Sequence, residues 1–200
     1  MGTLVPPIMP IFRSQVQGEL LAAVLLTSGA EFSLTELAQR IGAALSTVHR
    51  EVTRLEAAGV LTSRRVGNVR FVRANPNSPA YAPLRDLVER YFGVPVVIAE
   101  EFGELDGIDE LYVFGSWAAR ASGLAGPDPN DIDVLVIGQP DRDATYESAL
   151  RVERRVGKPV NVTIRTPEAW ARKADGFLQH VATSNLIPII STSEDGGVSE

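Results

Sequence analysis

Two aspartates stand one residue apart, Asp131 and Asp133, at the mouth of the apolar run Ile132 to Ile137. On an extended strand, residues i and i+2 share a face, so both carboxylates point one way while Ile132 enters the core. Like charges that close resist joint ionisation unless something compensates them. A hard divalent cation does so, and Mg²⁺ favours carboxylate oxygens. Such a pair can clamp Mg²⁺ against a phosphate chain and an attacking oxygen. Upstream, the apolar run Leu111 to Phe114 ends in Gly115-Ser116. Glycine admits close approach, and backbone N–H groups with the serine hydroxyl can bond phosphate oxygens. The structural alternative is that both aspartates only close a loop and start a strand, a common use of Asp.

Elements must position these residues. LYVFGS and DIDVLVIG read as buried strands and KPVNVTIRT as a third. VVIAEEFGEL, SWAARASG and DRDATYESALRVERRVG read as helices, the last with Tyr146, Leu150 and Val156 among its apolar positions. PEAWARKADGFLQHVA begins a helix with Pro167 at its first position. Alternating strands and helices predict an α/β layer around a small mixed sheet.

An apolar strand, Gly-Ser, a loop, then Asp-x-Asp on a second apolar strand resembles the nucleotidyltransferases of the DNA polymerase β superfamily. The resemblance implies that Gly115 and Ser116 bind nucleotide phosphates and that Asp131 and Asp133 bind Mg²⁺. It implies attack of an acceptor hydroxyl, on protein or RNA, at the α-phosphate of an NTP with release of pyrophosphate. Active members add a third carboxylate on a neighbouring strand, and the aligned position here is Asn161. An amide can ligate a metal or orient a hydroxyl, yet it carries no charge and is no general base near neutral pH. Asp131, Asp133 and Asn161 are therefore the candidate catalytic set, with turnover left open. Glu168 and Asp175 are carboxylates that the sequence does not place. Trp117 and Trp170 are expected to pack rather than stack on a base, and Arg120, Arg165 and Arg172 to be solvated.

The first half carries different signals. SQVQGELLAAVLLTSG opens with the capping pattern Ser14-x-x-Gln17, and FSLTELAQRIG repeats it with Ser33 and Glu36. Leu45, Val48, Val52 and Leu55 then recur at helical spacing, which predicts a core stripe on a third helix ending at Gly59. Its outer face shows Ser46, Thr47, His49, Arg50, Thr53 and Arg54. Helix, short glycine-containing turn, and helix with a polar-basic face make a helix-turn-helix. VLTSRRVGNVRFVRAN follows, with alternating residues about Gly67-Asn68 and arginines at 64, 65, 70 and 73. That pattern predicts a basic β-hairpin, the wing of a winged helix. Thr47, Arg50 and Arg54 are expected to face base edges, and Arg64, Arg65 and Arg70 phosphates or a minor groove of double-stranded DNA. The competing reading is a solvated helix face on a protein-docking module. His49 and His180 read as surface residues rather than ligands.

Charge separates the halves. Residues 1–90 carry ten arginines against seven acids, and residues 91–200 nine Lys and Arg against eighteen acids. A mildly basic half joined to an acidic one suggests two domains with different partners. The chain has no cysteine, which excludes disulfide frameworks and thiolate metal sites. No apolar run approaches the ~20 residues of a membrane span. Arg13 is the single cation among the first nineteen residues, unlike a signal peptide, so a cytoplasmic protein without a membrane partner is expected.

The expected fold class is α+β. A winged helix-turn-helix domain occupies 1–80, a linker helix 81–93 with Leu84, Leu87, Val88 and Tyr91 between the halves, an α/β nucleotidyltransferase-fold domain 94–192, and a disordered tail 193–200. With such a domain on a DNA-binding head, the chain resembles prokaryotic regulators. Two functions follow. One is a transcriptional regulator that binds NTP and Mg²⁺. The other is an active NMP transferase of the toxin–antitoxin kind, with the winged helix serving autoregulation. A homodimer is expected by analogy with winged-helix proteins on two-fold DNA sites.

Overall fold

The computed structural model describes residues 12–27 and 29–191. The expected tail at 193–200 lies outside them. The elements run α1 (Gln15–Leu25), β1 (Phe32–Ser33), α2 (Leu34–Arg40), α3 (Leu45–Ala57), β2 (Leu61–Val66), β3 (Val69–Ala74), α4 (Tyr81–Phe92), α5 (Val94–Phe102), β4 (Ile108–Phe114), α6 (Gly115–Ala121), β5 (Ile132–Gly138), α7 (Arg142–Val156), β6 (Val160–Arg165), α8 (Pro167–Arg172), α9 (Gly176–Thr183) and β7 (Ile187–Ile190). They form two compact units that part between Val96 and Val97, with Arg155–Gly157 counted in the first.

In the first unit, capping residues set the helix starts. Ser14 Oγ accepts from the Gln17 N–H, while Gln17 reaches back to the N–H of Arg13 rather than Ser14. Ser33 and Glu36 form the full reciprocal box. The third helix departs from its expected stripe. Val48, Val52 and Leu55 are buried, but Leu45 is 50% exposed, because the first turn of α3 projects beyond the core. Glu51 takes an inward position instead and is buried. β2 and β3 pair as the expected hairpin, with Val66 opposite Val69 and Gly67 at φ +57° in the turn. A short third strand, β1, joins them in the order β1-β3-β2.

Helix α4 belongs to this same unit. Val88 and Phe92 are buried in its core, with Leu84, Leu87 and Tyr91 partly buried against it. Phe92 meets Phe12 edge-on at 5.5 Å and lies directly over Gly18, whose β-carbon position its ring occupies.

The second unit is a mixed four-stranded sheet in the order β6-β5-β4-β7. β5 is central and runs parallel to β6 across the α7 crossover that a parallel pair requires. It is antiparallel to β4. Buried on both faces except at Asp133, β5 reads as an unbroken apolar run. β7 escaped the sequence reading because its four residues include Pro188, which an edge strand tolerates. The single helix expected from Pro167 is two helices. Lys173 turns left-handed at φ +50°, and Asp175 caps α9 by accepting from the Leu178 N–H. On α7 the buried residues are Thr145, Ser148, Ala149 and Val152, while Tyr146 and Leu150 face outward.

Gly18 yields a test. Alanine in a helix interior ordinarily stabilises by about 0.5–1 kcal/mol over glycine. Here the added methyl displaces a buried ring, so Gly18→Ala should destabilise by about 1–3 kcal/mol in denaturant melts. Pairing it with Phe92→Leu should recover much of that loss.

Candidate functional site

Three strand ends of the second unit build one cluster. Register places Phe114 opposite Asp133 and Asp133 level with Asn161. Asp131 sits just before β5, whose first N–H, at Ile132, is held by the Pro159 carbonyl. Asn161 Nδ2 donates to Asp131 Oδ2 at 2.9 Å and to Asp133 Oδ1 at 3.2 Å. The amide must present its NH₂ this way, since its carbonyl oxygen would face two carboxylates. Gly115 takes φ +73°, and a β-carbon there would fall on Asp133 Oδ2. The positive φ favours glycine here, and a side chain would also have to displace the Asp133 carboxylate. Ser116 is exposed one residue on, and no side chain caps the first turn of α6.

Partial burial raises the Asp133 carboxyl above its ordinary value; the Asn161 hydrogen bond opposes this and the Asp131 charge adds to it. Ionising this carboxyl therefore carries a cost in the folded protein, one that a bound cation would relieve.

No third acid joins the pair. Asp175 caps α9 and lies 3.8 Å from Arg165. Glu168 sits in the first turn of α8, where backbone and Thr166 hydrogen bonds lower its carboxyl. Among the described residues no group of three or more His, Cys, Asp or Glu is placed to hold a metal. The donor set fits one Mg²⁺ between Asp131 and Asp133 and lacks the third charge a second ion needs.

The sheet face beyond the cluster carries residues that the sequence reading missed. Phe114 packs edge-on against Phe177 at 5.7 Å, and the Arg165 guanidinium covers Phe177 at 5.3 Å. Only strand alternation hinted at this, by setting Phe114 on the Asp133 face. Trp170 packs as expected, 5.7 Å from Tyr112, and donates Nε1–H to Glu110. Arg120 bonds the Leu124 carbonyl and Arg172 that of Glu168.

In the first unit, Ser46, His49 and Arg50 are exposed on α3, and Thr47 is half-buried and bonded by Arg50 at 3.4 Å. Other arginines of this face are engaged within the protein. Arg54 pairs with Glu51 at 2.6 Å, and Arg64 with both oxygens of Glu31. Arg70 pairs with Glu56 and lies 3.5 Å from His49 Nε2. Arg65 is exposed and has no side-chain partner among the described residues.

Known proteins match both units separately. Residues 20–65 match the IclR helix-turn-helix domain, and residues 97–181 match the nucleotidyltransferase domain. The chain therefore joins an IclR-type helix-turn-helix domain to a nucleotidyltransferase domain. Among solved structures it is similar to a possible transcriptional regulatory protein (fragment 1-100) from Mycobacterium bovis. That likeness has 25% identity, covers 36% of this chain and 76% of that one, and has a TM-score of 0.31. No curated protein matches the chain. Among the described residues, no helix is long and apolar enough to cross a membrane.

The raised Asp133 carboxyl sets a sign. Folded protein holds that proton more tightly than unfolded chain, so stability falls as pH rises from the ordinary carboxylate value through the raised one. At neutral pH without metal, Asp133→Asn should raise Tm by a few degrees in calorimetry. A fall in Tm would show that the carboxylate is not held at a cost.

Proposed function

We propose that the chain is a DNA-binding transcriptional regulator whose nucleotidyltransferase domain binds an NTP with one Mg²⁺ and serves as a sensor. The observation that carries this reading is the Asn161 amide bonded to both carboxylates, where active transferases carry a third acid. Asp131 and Asp133 hold the ion, which supplies positive charge to the phosphate chain. Gly115 leaves the space, and Ser116 offers its hydroxyl and backbone N–H. Asn161 orients the two carboxylates, but an uncharged amide accepts no proton from an acceptor hydroxyl near neutral pH.

The helix-turn-helix presents Ser46, Thr47, His49 and Arg50 to base edges, with Arg65 from the wing. Arg54, Arg64 and Arg70 act mainly within the protein. Its place is the cytoplasm, with the DNA it regulates, as a homodimer on two-fold sites. NMP transfer to a protein or RNA hydroxyl is the competing activity, and the missing third acid stands against it.

Calorimetric titration with each NTP, with and without Mg²⁺, tests the sensor. At a hundredfold excess over Kd, the preferred NTP should stabilise the protein by about 2.7 kcal/mol, and only with Mg²⁺. Asp131→Ala and Asp133→Ala should abolish the shift. No heat and no shift for any NTP would sink the sensor reading. Asn161→Asp should lower Tm in chelator, regain it with Mg²⁺ and NTP, and raise NMP transfer above wild type. Wild-type transfer from labelled NTP, lost in both aspartate variants, would instead establish the transferase.

A further inference from the structure

Among the described residues of the first unit, the large apolar side chains that are exposed are Leu45, Val66 and Val69, at 50%, 51% and 45%. The two valines flank the Gly67-Asn68 turn and pair across the hairpin, so they form one apolar knob at the wing tip. Full burial of a valine is worth roughly 1.5–3 kcal/mol, and about half of that is forgone at each of these two positions. Strand propensity alone does not account for it, because threonine meets that preference without exposing apolar surface.

The charges around the tip are arranged unlike a phosphate grip. Arg64 is bound bidentately by Glu31, which also lies 3.9 Å from Arg73. Arg70 is bound by Glu56 and by Ser63 Oγ, and Arg54 by Glu51. Each of these arginines would bring its own carboxylate to a phosphate, so each releases few counterions on binding. Arg65, adjoining Val66, is exposed without a side-chain partner among the described residues, and Arg50 meets only the Thr47 hydroxyl. A wing built to track phosphates would show free arginines and a polar tip. This one shows tethered arginines and an apolar tip with a single free guanidinium beside it.

Apolar side chains that enter the minor groove wedge between base steps, and arginine favours the potential of that groove. We infer that Val66 and Val69, with Arg65 beside them, form a wedge that enters the minor groove of duplex DNA and selects flexible T-A steps. The inference rests on the DNA-binding reading and adds to it the groove, the contact and the feature of DNA that is read. Gly67 narrows the tip to a two-residue turn, and a β-carbon there would meet nothing within 4 Å.

The test uses the full chain and two duplexes of about 30 base pairs. One carries central alternating T-A steps and the other an uninterrupted A-tract. Both show the same degenerate minor-groove hydrogen-bond pattern and differ in stiffness. Fluorescence anisotropy across a salt series reads affinity and slope. Wild type should prefer the alternating duplex by about tenfold. Its log–log salt slope should be about −2 per bound chain, set by Arg50 and Arg65, rather than about −5 for six arginines. The double variant Val66→Ser/Val69→Ser should keep its Tm and slope and lose the preference. Arg65→Ala should reduce the slope by about one. A slope near −5, or a preference that survives the valine changes, overturns the wedge while leaving DNA binding intact. Valine changes that alter sedimentation but not DNA affinity would assign the knob to a second copy of the chain and overturn it too. No binding to either duplex at low salt would remove the DNA-binding reading and the wedge together.

Discussion

Two negative charges on one face of a strand, bridged by a neutral amide, constrain everything around them in the second unit. The pair must sit where β5 begins, since deeper in that strand both faces are buried. β6 must run parallel and in register, or Asn161 would not lie level with Asp133. β4 must end at Phe114 and continue through a residue without a side chain, because Asp133 Oδ2 fills the place a β-carbon would take. The α7 crossover, the central position of β5 and the left-handed Gly115 are consequences of seating two carboxylates side by side.

The amide changes what that seat can do. A donor hydrogen bond to an ionised group contributes roughly 1.5–3 kcal/mol, so one Nδ2 shared between two carboxylates offsets part of their repulsion and of the burial of Asp133. It leaves their combined charge of −2 unchanged, which a single divalent ion balances. A carboxylate at 161 would leave one negative charge over, and that remainder is what draws a second ion. On the proposed reading, Asn161 in place of a carboxylate favours one ion over two, and nucleotide binding and turnover would part at this residue.

Local chemistry made much of this legible in the sequence. Ser33 and Glu36 announced a capped helix and Gly67-Asn68 a hairpin, because each signal lies within a few residues of its partner, while Asp-x-Asp after Gly-Ser was legible through the family pattern it resembles. The family resemblance pointed to Asn161, and the parallel register sets it level with Asp133. What the sequence hid depends on covering partners. Periodicity marks one face of α3 but not how far the core extends along it, so it predicts Leu45 buried where the structure buries Glu51. On α7 the larger apolar residues, Tyr146 and Leu150, are exposed, while Thr145, Ser148, Ala149 and Val152 are buried. β1 and β7 are too short to show a period, and the left-handed turn at Lys173 splits a helix that its composition favours.

The wing shows the same limit for charge. Counting arginines between positions 64 and 73 describes a basic hairpin, yet Coulomb interactions fall with distance and each ion carries its nearest neighbours with it. Glu31 comes from a loop more than thirty residues before Arg64, and Glu56 from the end of the helix facing Arg70. A phosphate approaching either guanidinium meets a dipole rather than a cation. Both pairs subtract charge from the surface that the composition implies, whatever each adds to stability. On the proposed reading, with cations tethered and valines exposed at the tip, shape and deformability are the properties of DNA that this surface would read.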